Sequence, residues 1–88
     1  MDAQSTARWM LSQIEDSGSV YQEEVVQYLV SNDADNLLRE NSDGNVVLGS
    51  DLLTAFRKLT EKTVVWVGGD KYWRFRDSSD GPGRQAEG

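Results

Sequence analysis

Apolar residues in the first part of the chain recur three and four positions apart. Between Ser5 and Asp16 these are Ala7, Met10, Leu11 and Ile14, a spacing that lines up one face of an α-helix. Ser5 or Thr6 is placed to cap that helix, Ser17-Gly18 to end it, and Trp9 falls on its opposite side. Ser19-Val20-Tyr21 reads as a short extended link or a single strand. A second helix begins near Gln22, with Glu23 and Glu24 at the positive end of its dipole. Val25, Val26 and Leu29 face inward, Tyr28 sits at the margin, and the helix frays near Asn32. Its valines are weak helix formers, so packing has to hold it.

The pattern then shortens. Residues 33–36 are polar and turn-like, and segments 37–40 and 45–48 flank Asp43-Gly44, a type I′ hairpin signal. A helical turn through 37–40 is the alternative. Ser50 is the expected N-cap of a third helix, whose apolar face is Leu52, Leu53, Phe56 and Leu59, with Arg57, Lys58 and Glu61 pointing elsewhere. Segments 63–67 and 71–76 are β-branched and aromatic around Gly68-Gly69-Asp70, so they predict a second hairpin in which glycine supplies positive φ. A Gly69-Asp70 turn pairs Trp66 with Trp73 and Val64 with Phe75, and those four cover the core. The other face carries Val65, Val67, Tyr72, Arg74 and Arg76. Residues 77–88 are rich in Gly, Ser and Asp and read as a tail. The expectation is an α+β, winged-helix-like domain over residues 1–76, with three helices, a C-terminal β-hairpin and an additional short hairpin, followed by the tail 77–88.

Composition narrows the chemistry. A chain of 88 residues has room for one domain. It holds no cysteine and no histidine, so it lacks disulfides, thiolate ligands, the commonest general base and the commonest metal ligand. No catalytic residue, metal site or cofactor is expected. No run approaches the ~20 apolar residues that span a bilayer, and the first residues lack the basic-then-apolar layout of a signal peptide. A soluble, cytoplasmic protein that does not engage membranes is the expectation. Net charge is −6, which opposes nucleic-acid binding by bulk charge. The charge is segregated, however. Residues 1–44 hold nine acids and two bases, whereas Arg57 to Arg76 holds six bases and two acids.

Several local constellations resemble sites and fail as such. Glu23 and Glu24 are adjacent on a helix, ~100° apart, and do not converge as an acid/base pair must. Setting Gly44 as the sixth position of a calcium loop puts Arg39 first and Ser50 twelfth, where carboxylates are needed. Gly68-Gly69 lacks the spacing, lysine and following helix of a phosphate loop. The basic stretch is more informative. Arg57 and Lys58 on the third helix and Lys71, Arg74 and Arg76 on the hairpin follow the order in which a winged helix contacts nucleic acid. The plainer reading is a solvated polar face, favoured by the acidic net charge and by the hairpin intruding between the second and third helices.

Trp9-Met10, Tyr21-Gln22-Glu23-Glu24, Phe56-Arg57-Lys58-Leu59-Thr60, Thr63-Val64-Val65-Trp66, Trp73-Arg74 and Pro82-Gly83-Arg84-Gln85 resemble a family of small uncharacterised bacterial proteins, some encoded on integron gene cassettes. The likeness covers most of the chain. It implies a bacterial cytosolic protein and no assigned activity, and it makes 82–85 part of the pattern. The reading that follows is a non-enzymatic protein-interaction module that self-associates, a homo-oligomer or a binder of another protein. Its candidate interface is Trp9, Val65, Val67, Tyr72, Arg74 and Arg76, a mix of aromatic, apolar and Arg residues suited to interfaces. The alternative is a weak nucleic-acid-binding regulator using Arg57, Lys58, Lys71, Arg74 and Arg76.

Overall fold

Asp2, three residues ahead of the expected cap, starts the first helix in the computed structural model, which describes residues 1–77 and 85–86. Its carboxylate accepts the Ser5 N–H at 2.8 Å, and the Ser5 hydroxyl accepts the Asp2 N–H at 3.2 Å. This reciprocal pair satisfies two donors that a helix start otherwise leaves open. The Ser5 N–H, and after it the Ser5 side chain, holds the Asp2 carboxyl below its ordinary pKa. Helix α1 (Ala3–Ser17) buries Thr6, Ala7, Met10 and Ile14. It ends at Gly18, whose φ of 89° favours a residue without Cβ.

Strand β1 (Ser19–Tyr21) leads directly into α2 (Gln22–Ser31). Glu24 reaches back to accept the Tyr21 N–H at 3.0 Å. The helix ends in a Schellman arrangement, with Ala34 N–H donating to the Leu29 carbonyl and Asp33 N–H to that of Val30. Asp33 occupies the left-handed position there, at φ 54°.

Of the two readings of the next segment the hairpin holds, and the helical turn through 37–40 does not, because 38–40 is a paired strand. Asp35–Leu37 is a single 3-10 turn, and β2 (Leu38–Glu40) then pairs antiparallel with β3 (Val46–Leu48). The turn is not type I′. Gly44 has φ 81° but Asp43 is not in the positive-φ region, and Asn41 pairs with both Gly44 and Asn45 through the backbone. That is the three-residue loop with a glycine bulge. The Asn41 side chain stabilises it, its Oδ1 accepting the N–H groups of Asp43 at 2.9 Å and Asn45 at 3.0 Å.

Gly49, not Ser50, caps α3 (Ser50–Thr60). A Cβ at Gly49 would lie 2.8 Å from the Leu37 carbonyl oxygen, to which the Gly49 N–H donates at 2.7 Å. The buried stripe of α3 is Leu52, Phe56 and Thr60. Thr60 enters the core because its hydroxyl donates to the Phe56 carbonyl at 2.7 Å. Leu53 is half-buried, and Leu59 is 43% exposed, contrary to expectation. The stripe is rotated toward Thr60, which moves Leu59 to the flank beside α1.

Strands β4 (Val64–Val67) and β5 (Tyr72–Phe75) pair in the register predicted from sequence, Trp66 opposite Trp73 and Val64 opposite Phe75. Two details differ. Neither loop glycine has a positive φ; Lys71 does, at 58°, with its N–H donating to the Val67 carbonyl at 2.8 Å. Of the four residues expected to cover the core, Val64 and Trp73 are buried, Trp66 is half-buried and Phe75 is 40% exposed. Phe75 lies on the last rung, beside Lys62, Thr63 and Arg76.

Strand β1 pairs with β5, and β6 (Gln85–Ala86) runs parallel to β4, giving the order β1-β5-β4-β6. Of the expected tail 77–88, Asp77 and Gln85–Ala86 are described and the rest lies outside the described residues. The domain is therefore α+β, three helices with two small sheets. One core joins Met10 and Ile14 of α1, Val25 and Leu29 of α2, Leu52 and Phe56 of α3, and Val64 and Trp73 of the sheet. Phe56 meets Trp73 edge-on, centroids 5.6 Å apart, and Trp66 leans on Trp73 at 4.5 Å. No helix among the described residues is long and apolar enough to cross a membrane.

Candidate functional site

The two hairpins border a concave surface with two adjoining depressions. The first is a cleft of about 390 Å³ between α3, the β2–β3 hairpin and the inner face of β4–β5. Phe56, Trp66 and Trp73 form its aromatic side, and Arg39, Arg57, Gln22 and Asn41 supply its polar groups. The second is a groove of about 540 Å³ between the start of α2, the first hairpin and the β4–β5 turn. It shares Gln22, Asn41, Val47 and Trp66 with the cleft and adds Tyr21, Val26 and Val46, with Glu23, Asp70 and Lys71 as its charges.

Strand alternation places the hairpin side chains. Leu38 pairs with Leu48, and both pack toward the core, so Arg39 and its partner Val47 belong to the opposite face. Arg57 follows the buried Phe56 on α3 and is exposed. Among the described residues neither Arg39 nor Arg57 has an ion-pair partner. No carboxylate of the described residues lines the cleft, although the chain carries 15 Asp and Glu against 9 Lys and Arg. In the groove, Tyr21 is 44% and Val46 48% exposed. Lys71 is held there by its turn, and its carbonyl accepts the Gln22 N–H at 2.9 Å, tying the turn to the start of α2.

The residues singled out in the sequence do not form the surfaces expected of them. Val65 and Val67 are buried at 0% and 3%. β4 is an inner strand, between β5 and β6, and it is buried on both faces, as valine-rich inner strands are. Trp9 is half-buried, stacked on Tyr28 of α2 at 3.7 Å with planes 5° apart. Tyr72 is half-buried against Tyr21, centroids 5.0 Å apart. Arg74 donates to the Phe75 carbonyl at 3.0 Å and lies 3.9 Å from the Asp77 carboxylate. Arg76 is half-buried, its N–H bonded to the Thr63 carbonyl. An open apolar strip on the outer hairpin face is therefore not present.

The five cations considered for nucleic acid are dispersed as well. Arg57 lines the cleft, Lys58 a hollow between α1 and α3, Lys71 the groove, and Arg76 the end of the sheet. Arg74 lies on β5 beside Asp77. The structure instead brings Arg57 together with Arg39, which enters the sequence reading only as the first position of a failed calcium loop. The alternation of Leu38 and Arg39 against Leu48 and Val47 carries the signal that Arg39 leaves the core face. Among the described residues no group of three or more Asp or Glu could hold a metal ion.

The model of DUF6953, a family of unknown function, matches residues 2–75, and the chain belongs to that family. No curated protein matches the chain, and no solved structure does.

Proposed function

We propose that this member of an uncharacterised family is a non-enzymatic, winged-helix-like interaction module that self-associates through the groove between its two hairpins. The observation that carries the reading is the cluster of Tyr21, Val26, Val46, Val47 and Trp66 in one groove, with Tyr21 and Val46 each more than two-fifths exposed. Exposed apolar side chains gathered in a concavity mark contact sites more than singly scattered ones do. A second copy is the occupant that the charges favour. An isologous dimer needs a patch complementary to itself, and the groove sets Lys71 beside Glu23 and Asp70. Lys71 adds a second argument, because a lysine at positive φ is strained, and strain of this kind gathers at functional positions.

The winged-helix likeness rests on the order helix, strand, helix, inserted hairpin, helix, hairpin and on the β1-β5-β4 pairing. Nucleic-acid binding draws less support, since its five cations do not share a face. The resemblance to cassette-borne bacterial proteins supports a bacterial, cytoplasmic setting. Size exclusion with light scattering at micromolar concentration tests the proposal. A mass above the 9.9 kDa of one chain, reduced to one chain by Val46→Glu, is expected. A wild-type monomer sinks self-association and leaves a different protein partner.

A further inference from the structure

We propose that the cleft between α3 and the β2–β3 hairpin is a binding site for a small aromatic anion, a planar ring bearing one carboxylate or phosphate. The proposal concerns the cleft, which shares Gln22, Asn41, Val47 and Trp66 with the groove, and it does not rest on self-association. Three observations converge. The cleft, at about 390 Å³, has the size of a small-molecule site. Its aromatic side is Trp66, half-buried, backed by Trp73 and Phe56, a surface on which a flat ring stacks. Its charge runs against that of the molecule: two guanidinium groups and, among the described residues, no carboxylate, in a chain of net charge −6.

The polar groups have the donor character an anion requires. Arg39 comes from the inserted hairpin and Arg57 from α3, so two independent elements deliver a cation to one hollow. Among the described residues neither is engaged by an acid. Guanidinium groups bind carboxylate and phosphate through paired N–H donors. Asn41 also lines the cleft, and its Oδ1 is committed to the backbone N–H groups of Asp43 and Asn45. What Asn41 has left to offer is its amide nitrogen, a donor. The ring and the anionic head are both needed: the head meets Arg39 and Arg57, and the ring meets Trp66.

The three tryptophans make the test self-controlled, because Trp66 and Trp73 line the cleft and Trp9 is stacked on Tyr28 outside it. The indole N–H signals of 15N-labelled protein are followed by NMR during titration with phenyl phosphate and with benzoate. Inorganic phosphate and benzyl alcohol are the headgroup-only and ring-only controls. Saturable shifts of Trp66 and Trp73 with either aromatic anion, with Trp9 unmoved, are expected. Each control should bind more weakly by about tenfold or more, the loss of one charged or stacking contact. Arg39→Gln and Arg57→Gln should each weaken binding by about tenfold. Both residues are exposed, so the variants keep the fold. Lys58→Gln, one position along α3 and outside the cleft, should bind as the wild type does. Three results would overturn the proposal: no saturable shift up to about 10 mM, equal shifts at Trp9, or affinity unaltered in both Arg variants.

Discussion

The two hairpins of this domain are held by different physics. In β4–β5 the strands are fixed by what they bury: Val64, Val65, Val67 and Trp73 are all buried. Its turn is poor by comparison, with Lys71 carrying a positive φ two residues beyond a pair of glycines. In β2–β3 the arrangement is reversed. Only Leu48 is fully buried there, while the turn is well made, with Gly44 at the positive φ and Asn41 bonding two backbone N–H groups. A hairpin that contributes its residues to the core specifies its register through the core. A hairpin inserted between two helices has to specify itself through its turn, and its remaining side chains, Arg39, Asn41, Val46 and Val47, are left to line the cleft and the groove.

The largest effect that bears on this contrast comes from truncating the two strands. Trp73→Ala should lower the unfolding free energy by about 3–5 kcal/mol, the cost of removing a buried aromatic side chain. Val47→Ala, at a half-buried position on β3, should cost only about 1 kcal/mol. Equal losses in urea titrations would mean that both hairpins hold the fold. The turns should respond in opposite directions. Gly44→Ala forces a Cβ into the left-handed region and should cost about 1 kcal/mol. Lys71→Gly relieves that same strain and should raise stability by about 0.5–1 kcal/mol, the gain being reduced by the greater freedom of glycine in the unfolded chain. Destabilisation by Lys71→Gly would mean that the lysine side chain packs usefully, and the account of a strained turn would be wrong.

This division also explains what was legible beforehand. The β4–β5 register could be read because Trp66, Trp73, Val64 and Phe75 admit one pairing that puts them on a common face. Whether that face was covered along its whole length could not be read: Val64 and Phe75 share the last rung, yet Val64 is buried and Phe75 is 40% exposed. The burial of Val65 and Val67 was illegible for a related reason. Alternation predicts two faces, but only the tertiary structure shows that a strand is enclosed on both. The second helix runs as its sequence indicates, from Gln22 to the cap at Asn32, while the first and third start on other caps than expected. Asp2 and Gly49 were overlooked as caps because Ser and Thr stood closer to the apolar stripes. The cleft was missed altogether. Arg39 and Arg57 lie far apart in sequence, and only the insertion of one hairpin beside α3 gives them a common hollow.

A dilution series of 15N–1H correlation spectra asks whether copies of the chain meet in the groove between the hairpins. Association there moves the backbone signals of Tyr21, Val26, Val46, Val47 and Lys71 as the protein is diluted from a high concentration, while those of Arg8 and Leu59, in the hollow between α1 and α3, stay in place. Signals that are independent of concentration throughout, or that move at Leu59 and Phe75 and not in the groove, would contradict it.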